Sequence, residues 1–244
     1  MSKTKKNKAV LTEKRALELI HLFSQFPPYP RHGLDDPHLA TLITLHDLPL
    51  DRVIQFFNAW RPLSAHQPQI LYLLTAAFPE QRDRKRMNEL NIRDEDGYKR
   101  GHQPHVALLD HLIVTLGGTP VVHERTEKIM NAFHDGLWRP TTAARSAGLA
   151  AGIEHVAMQI SRYFREVVRL SGFPELVTTN PYLAIHVVVE PQHIADTHEI
   201  ALRYMEQGFA ERAEVLAAFE EVLTFWANFW NATFEELFEL PLAS

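Results

Sequence analysis

The segment 182–193 reads YLAIHVVVEPQH and is the most informative stretch of the sequence. On an α-helix, which turns by about 100° per residue, positions 186, 190 and 193 fall within roughly 60° of one another. We therefore expect His186, Glu190 and His193 to point the same way, from a helix whose neighbouring residues are mostly apolar. Two histidines and one carboxylate with open positions are a ligand set that holds non-haem Fe(II) and admits dioxygen.

Glu154 is a further candidate ligand, because it is an isolated acid in an apolar setting. Small residues precede it, in the stretch GLAAG at 148–152, and they favour close packing of this helix against a neighbour. Glu154 could instead lie on a solvated face. His155 is about 100° away around the helix and is not expected to join the same cluster.

The remaining candidates lie where one predicted helix ends and the next begins. Glu95 closes the stretch NIRDE at 91–95, and His105 follows Pro104 near the start of the next helix. His105 shares a face with apolar residues at 108, 109 and 112, which indicates that it points into the core. His102 is the alternative to His105, and His105 could also be a hydrogen-bonded core histidine.

The rest of the chain reads as helices. Apolar residues recur at spacings of three and four, strict alternation is scarce, and only 10 of 244 residues are glycine. We predict an all-α multi-helix bundle, with no repeat and no Gly- or Ser-rich linker. The predicted helices span 11–26, 36–46, 50–60, 63–78, 80–96, 104–116, 121–136, 139–171, 181–207 and 210–238.

Composition narrows the classes of function. There are 25 Lys and Arg against 30 Asp and Glu, a net charge of −5, and four lysines lie within the first eight residues. The rest of the chain is more acidic still and is not expected to bind nucleic acid or anionic lipid. The chain has no cysteine, which excludes thiolate nucleophiles, Fe–S clusters and Cys-ligated zinc. Any metal must be held by His, Asp and Glu.

The sequence also predicts how the chain is divided into a tail and a domain. Residues 1–10 are predicted to be a flexible basic tail, and residues 11–244 a single helical domain. No signal peptide and no membrane-spanning run is recognised, so a cytoplasmic protein is expected. The segment from Phe209 to Leu240 holds more aromatic residues than one helical stripe can bury. It is predicted to be a central helix or a dimer interface, or else to line an apolar substrate channel.

Taken in chain order, the candidate motifs resemble those of the haem-oxygenase-like di-iron oxidases. They are the stretch NIRDEDG at 91–97, HVALL at 105–109, LGGTP at 116–120, the isolated Glu154, and the motif of His186, Glu190 and His193. The likeness covers roughly residues 80–207 by motif. It implies a haem-oxygenase-like helical bundle, usually dimeric, that binds two Fe ions (or Fe and Mn) and uses dioxygen as co-substrate. The metal ligands that it implies are Glu95, His105, Glu154, His186, Glu190 and His193.

The resemblance also implies a tyrosine near the metals, and Tyr182 occupies that position, one turn before His186. Three departures from the family pattern stand out. Glu190 replaces the usual aspartate, the spacing from Glu95 fits the family better with His102 than with His105, and Pro191 lies inside the motif. Pro191 is expected to kink the helix or mark its start, displacing His186 from the shared face.

Two functions follow as hypotheses. The first is an oxygenase or oxidase that acts on a small, partly apolar organic substrate. The second is a non-catalytic or metal-free helical dimer that binds a partner protein or a lipid, and Glu190 and Pro191 favour it. Haem is not expected: His21 on the first helix could be a proximal ligand, but haem would leave the acidic residues unexplained.

Overall fold

The computed structural model describes residues 3–25, 49–88, 95, 97, 103–137 and 141–238. Within them the chain is helical and contains no strand, which confirms the all-α bundle. The helices are α1 (Lys3–Ser24), α2 (Leu50–Ala76), α3 (Gln81–Met87), α4 (His105–Thr115), α5 (Glu124–Leu137), α6 (Ala143–His155), α7 (Ala157–Leu170), α8 (Leu176–Thr179), α9 (Pro181–Met205) and α10 (Phe209–Phe238).

Several boundaries differ from those predicted. Helix α1 begins at Lys3, inside the segment expected to be a tail, because residues 3–24 contain neither glycine nor proline and are rich in good helix formers. Helix α2 runs through Pro62 and Pro68 and joins two predicted helices. Burial of its apolar residues outweighs the hydrogen bonds that the prolines remove. The segment predicted at 139–171 is interrupted at Val156, and the helix predicted at 36–46 lies outside the described residues.

Helix α10 is the central helix of the bundle. It packs mainly against α6 and also contacts α5, α9 and α2. Phe209, at its start, is exposed, but six of its aromatic side chains are buried in the main core, which confirms the prediction of a central helix. They are Phe219, Phe225, Trp226, Phe229, Trp230 and Phe234.

The approach of α6 to α10 depends on two glycines. A Cβ atom at Gly148 would lie 2.2 Å from the carbonyl oxygen of Val215, and one at Gly152 would lie 2.7 Å from Cβ of Val222. A larger residue at either position would push α6 and α10 apart, so these glycines set the position of the helix that carries Glu154 relative to α10. Among the described helices, none is both long and apolar enough to cross a membrane.

Candidate metal centre

The six candidate ligands all lie in the interior of the bundle, on three helices and the segment before α4. Glu95 precedes α4, His105 opens it, Glu154 lies near the end of α6, and the other three lie on α9. Five of the six side chains are at most 6% exposed, and His186 is half-buried. So many ionisable groups are seldom buried together without bonding partners, because removing a charge from water is costly.

One group consists of Glu154, Glu190 and His193. One donor atom from each side chain lies within 4.8 Å of the other two. The Nδ1 atom of His193 is 3.9 Å from Oε2 of Glu154 and 3.7 Å from Oε2 of Glu190. Two buried carboxylates facing one imidazole are more stable when a cation lies between them. The oxygen and nitrogen donors suit iron or manganese.

A second group consists of Glu95, His105 and His186. The Nδ1 atom of His105 is 2.8 Å from Oε2 of Glu95, and the rings of His105 and His186 are 4.7 Å apart between centroids. Gly97 follows with a φ of 72°, a left-handed conformation that favours glycine and lets the chain turn after Glu95. Among the described residues, Glu154, Glu190 and His193 thus form one compact group of three, and the other three candidates form a looser set in which His105 contacts both Glu95 and His186.

The protonation states suit metal binding. Burial disfavours the charged form of Glu95, but the combined attraction of His105, His186 and His193 holds the pKa of Glu95 below its usual value. Burial, together with the nearby His105, lowers the pKa of His186 to about 4. At neutral pH Glu95 is therefore an anion and His186 a neutral imidazole, the forms in which these side chains bind metals.

Tyr182 orients His186 through its backbone. Helix α9 begins at Pro181 after an Asn180 cap, whose side-chain oxygen accepts a hydrogen bond from the Tyr182 amide at 3.0 Å. One turn later, the Nδ1 atom of His186 lies 2.6 Å from the Tyr182 carbonyl oxygen. Nδ1 must donate this hydrogen bond, which leaves Nε2 with a lone pair. Metal-binding histidines are commonly fixed in this way.

The Tyr182 ring packs against the ring of His186, with 4.5 Å between the centroids, and its hydroxyl is held by hydrogen bonds. Its hydroxyl accepts a hydrogen bond from Nε1 of Trp60 at 2.8 Å and lies 3.3 Å from Oγ of Ser64. Burial raises the pKa of Tyr182, so the phenol stays protonated at neutral pH. The hydroxyl therefore keeps its hydrogen and can donate it in a hydrogen bond, with the Ser64 oxygen within reach as an acceptor.

A cavity of about 40 Å³ adjoins both groups. Glu95, His186 and Glu190 form its acidic and imidazole wall, and apolar and aromatic side chains form most of the rest. The other lining residues are Trp60, Ser64, Gln67, Ile153, Ala157, Ile160, Ser161, Phe164, Tyr182 and Trp226. A cavity of this size holds a few water molecules or a molecule such as dioxygen.

The structure corrects two details of the sequence reading. Pro191 lies inside α9, which runs unbroken from Pro181 to Met205, so Pro191 does not mark the start of the helix. His186 lies beside His105, whereas Glu190 and His193 face Glu154, so the three α9 residues divide between the two groups. His102 lies outside the described residues. His21 is exposed and lies 2.6 Å from Gln25, so it does not point into the bundle.

One polar residue beside the candidate ligands, Gln67, was not predicted from the sequence. Gln67 donates a hydrogen bond from Nε2 to Oε1 of Glu95 at 3.2 Å. Nothing in its local sequence distinguishes Gln67 from other polar residues of α2.

His155, as expected, stays apart from the cluster, and its Nδ1 atom is 3.0 Å from Nε2 of the buried His198. Burial and the adjacent His155 lower the pKa of His198 well below its usual value.

Comparison with known proteins gives a family and a fold. The model of one family, described as "iron-containing redox enzyme", matches residues 54–227, a range that includes all six candidate ligands. A similar solved structure is that of a CADD-like protein of unknown function from Nostoc punctiforme. The TM-score is 0.71 at 15% sequence identity, over 93% of this chain and 98% of that one. No curated protein matches the sequence.

Proposed function

Since the chain belongs to this haem-oxygenase-like family of iron-containing redox enzymes, we propose that it is a non-haem di-iron, or iron–manganese, oxygenase or oxidase. Its substrates would be dioxygen and a small, partly apolar organic molecule. The observation that carries the proposal is the buried convergence of Glu154, Glu190 and His193 within 4.8 Å. This donor set has little reason to be buried without a cation.

The two groups of three suggest how two ions would be held. Glu154, Glu190 and His193 would bind one ion, and Glu95, His105 and His186 the other, as in helical bundles that use carboxylates and histidines from facing helices. When bound, iron would supply the electrons that dioxygen needs in order to react with an organic substrate.

The protein's own groups prepare the site. The Tyr182 carbonyl fixes the ring of His186, and the Gln67 amide fixes one oxygen of Glu95. Outer hydrogen bonds of this kind keep metal ligands in a productive orientation. Trp60 and Ser64 hold the Tyr182 hydroxyl at the cavity, where it can take part in hydrogen bonds. The apolar walls limit the water that reaches the reacting groups.

The alternative of a metal-free helical dimer is less well supported by these contacts. The features that favoured it are Glu190 and Pro191, yet α9 continues through Pro191 and Glu190 still faces His193. Homodimer formation and a cytoplasmic location remain predictions.

Metal analysis of protein produced with iron supplied tests the proposal. We expect about two irons per chain and uptake of dioxygen once the iron is reduced. Glu154→Gln should lower the iron content, because it removes a charged ligand and leaves the shape of the residue unchanged. Glu124→Gln, at an exposed carboxylate of α5, is the matched control. Wild-type protein that holds no iron even at saturating concentration would support the metal-free alternative.

A further inference from the structure

A pair of buried histidines, His155 and His198, lies outside the six candidate ligands. The Nδ1 atom of His155, the last residue of α6, is 3.0 Å from Nε2 of His198 on α9. The two residues are 2% and 0% exposed. Phe23 of α1 meets the His198 ring edge-on at 4.6 Å, and Phe219 of α10 meets the His155 ring edge-on at 5.0 Å. Water has little access to these rings, so a hydrogen bond lost here would not be replaced by one to solvent.

The direction of this hydrogen bond follows from the neighbours of His198. Burial and the adjacent His155 hold the pKa of His198 well below its usual value, so the ring is neutral at pH 7 and carries a single N–H. The same ring bonds to the carbonyl oxygen of Ile194, one turn earlier on α9, and a carbonyl oxygen can only accept. The N–H of His198 is thus used on Ile194, so its Nε2 atom accepts a hydrogen bond from the Nδ1–H of His155.

The histidine pair joins the two helices that hold the compact ligand group. Two successive residues of α6 reach α9: Oε2 of Glu154 is 3.9 Å from Nδ1 of His193, and His155 bonds to His198 further along α9. Helix α6 ends at His155. The last carbonyl groups of a helix have no partner within it, so contacts with other helices matter more at its end than at its middle. The bond to His198 therefore holds the end of α6 at the residue next to Glu154.

We propose that His198 is a positioning residue of the metal centre: through its hydrogen bond to His155 it fixes the end of α6 against α9, and so sets the distance between the Glu154 carboxylate and His193. The inference rests on the proposed function, since it assumes that Glu154 and His193 bind a metal ion. It adds to that function a pair of residues that touch neither the metal nor the cavity.

Two substitutions at His198 separate the hydrogen bond from the presence of a polar side chain. The side-chain oxygen of His198→Gln can reach the place of Nε2 and accept from His155, whereas the shorter side chain of His198→Asn cannot. We expect iron affinity close to that of the wild type in His198→Gln and about tenfold weaker in His198→Asn. Anomalous diffraction at limiting iron should show the loss at the group of Glu154 and not at the group of Glu95.

Leu74→Ala is the matched control for lost stability. Leu74 is buried on α2 and does not line the metal cavity, so this variant should unfold more easily and keep its iron affinity. Equal iron affinity in His198→Gln and His198→Asn would overturn the proposal, and so would an equal loss in His198→Asn and Leu74→Ala.

The wild-type, metal-free protein tests the hydrogen bond without any variant. NMR of histidines labelled with nitrogen-15 distinguishes the two ring tautomers, and we expect His155 and His198 each to carry the proton on Nδ1. A proton on Nε2 of His155 would overturn the proposal even if His198→Asn does not fold. Wild-type protein that binds no iron would overturn the proposed function and this inference with it, whereas wild-type protein that binds iron beside an unaffected His198→Asn would overturn this inference alone.

Discussion

The candidate ligands are oriented by different neighbouring groups. These neighbours decide how metal binding and folding should change when each ligand is substituted. His186 is oriented by a backbone carbonyl and lies in the group with Glu95 and His105, whereas His193 faces two carboxylates. Both imidazoles extend into space that is already formed by neighbouring helices. Removing either one should therefore affect metal binding far more than folding.

His186→Ala and His193→Ala should each weaken metal binding by about 10- to 100-fold or more, because each removes a donor atom from a preformed site. Far-UV circular dichroism should show an intact bundle in both variants. His111→Ala, at an exposed histidine of α4, is the control and should bind metal as the wild type does. Unchanged metal affinity in either ligand variant would count against the assignment.

Glu190→Asp tests the position where this chain departs from the family pattern. The shorter side chain retracts the carboxylate by about one C–C bond, roughly 1.5 Å. If the glutamate arm is needed for Glu190 to reach a metal shared with His193, the variant should bind metal about 10- to 100-fold more weakly in a titration. Neutral or improved binding would instead indicate a site that has decayed from an aspartate-containing ancestor.

His198 should make the stability of the metal-free protein depend on pH. Its pKa in the folded state lies well below the usual value, so between that pKa and about 6.5 the unfolded chain binds a proton that the folded chain does not. The free energy of unfolding then has its full value above about pH 6.5. As the pH falls below this value, protonation of His198 in the unfolded chain lowers the free energy of unfolding by at most about 1.4 kcal/mol per pH unit. His198→Gln should show a flatter dependence in urea unfolding measured at pH 7, 6 and 5. An equally steep dependence would mean that other groups are responsible.

At the scale of helices, α6 pairs closely with α10 and also carries Glu154, which faces His193 on α9. The sequence GLAAG at 148–152 predicted tight packing here, and the structure confirms it with glycines that leave no room for a Cβ atom. Glu154 and the glycines that allow this close packing thus lie on the same helix, α6.

Gly148→Ala should destabilise the protein by about 1–3 kcal/mol, because its Cβ would meet a backbone carbonyl that cannot move aside independently. Iron content should fall as well, since α6 carries Glu154. Gly136→Ala is the matched control: it lies in α5, where a new Cβ meets nothing within 4 Å, and should be neutral or stabilising by up to about 1 kcal/mol. Thermal unfolding of both variants gives the comparison, and equal stabilities would contradict the packing account.

The helices show how far sequence reasoning reached. Periodicity predicted the all-α fold, and the caps at Asn180 and Thr142 lie where the sequence placed helix starts to within a few residues. The passage of α2 through Pro62 could not be predicted, because tertiary packing decides it. Local patterns identified the candidate ligands one by one. They could not show that His186 lies beside His105, or that Gln67 supports Glu95, since those contacts join residues distant in sequence.

At the scale of the whole molecule, the fold brings an acidic and imidazole-rich centre into a bundle whose core is otherwise largely apolar. Helices α4, α6 and α9 and the segment around Glu95 contribute the six candidate ligands. Helix α10 provides aromatic packing and, through Trp226, part of the cavity wall. The match to the iron-containing family spans all of these ligands. The central claim is that the two groups of three each hold one metal ion.

Anomalous diffraction at the iron absorption edge, from crystals grown with iron, tests that claim most directly. The account predicts two strong peaks per chain, one bonded by Glu154, Glu190 and His193 and the other by Glu95, His105 and His186. A single peak, no peak, or peaks bonded by other residues would contradict it.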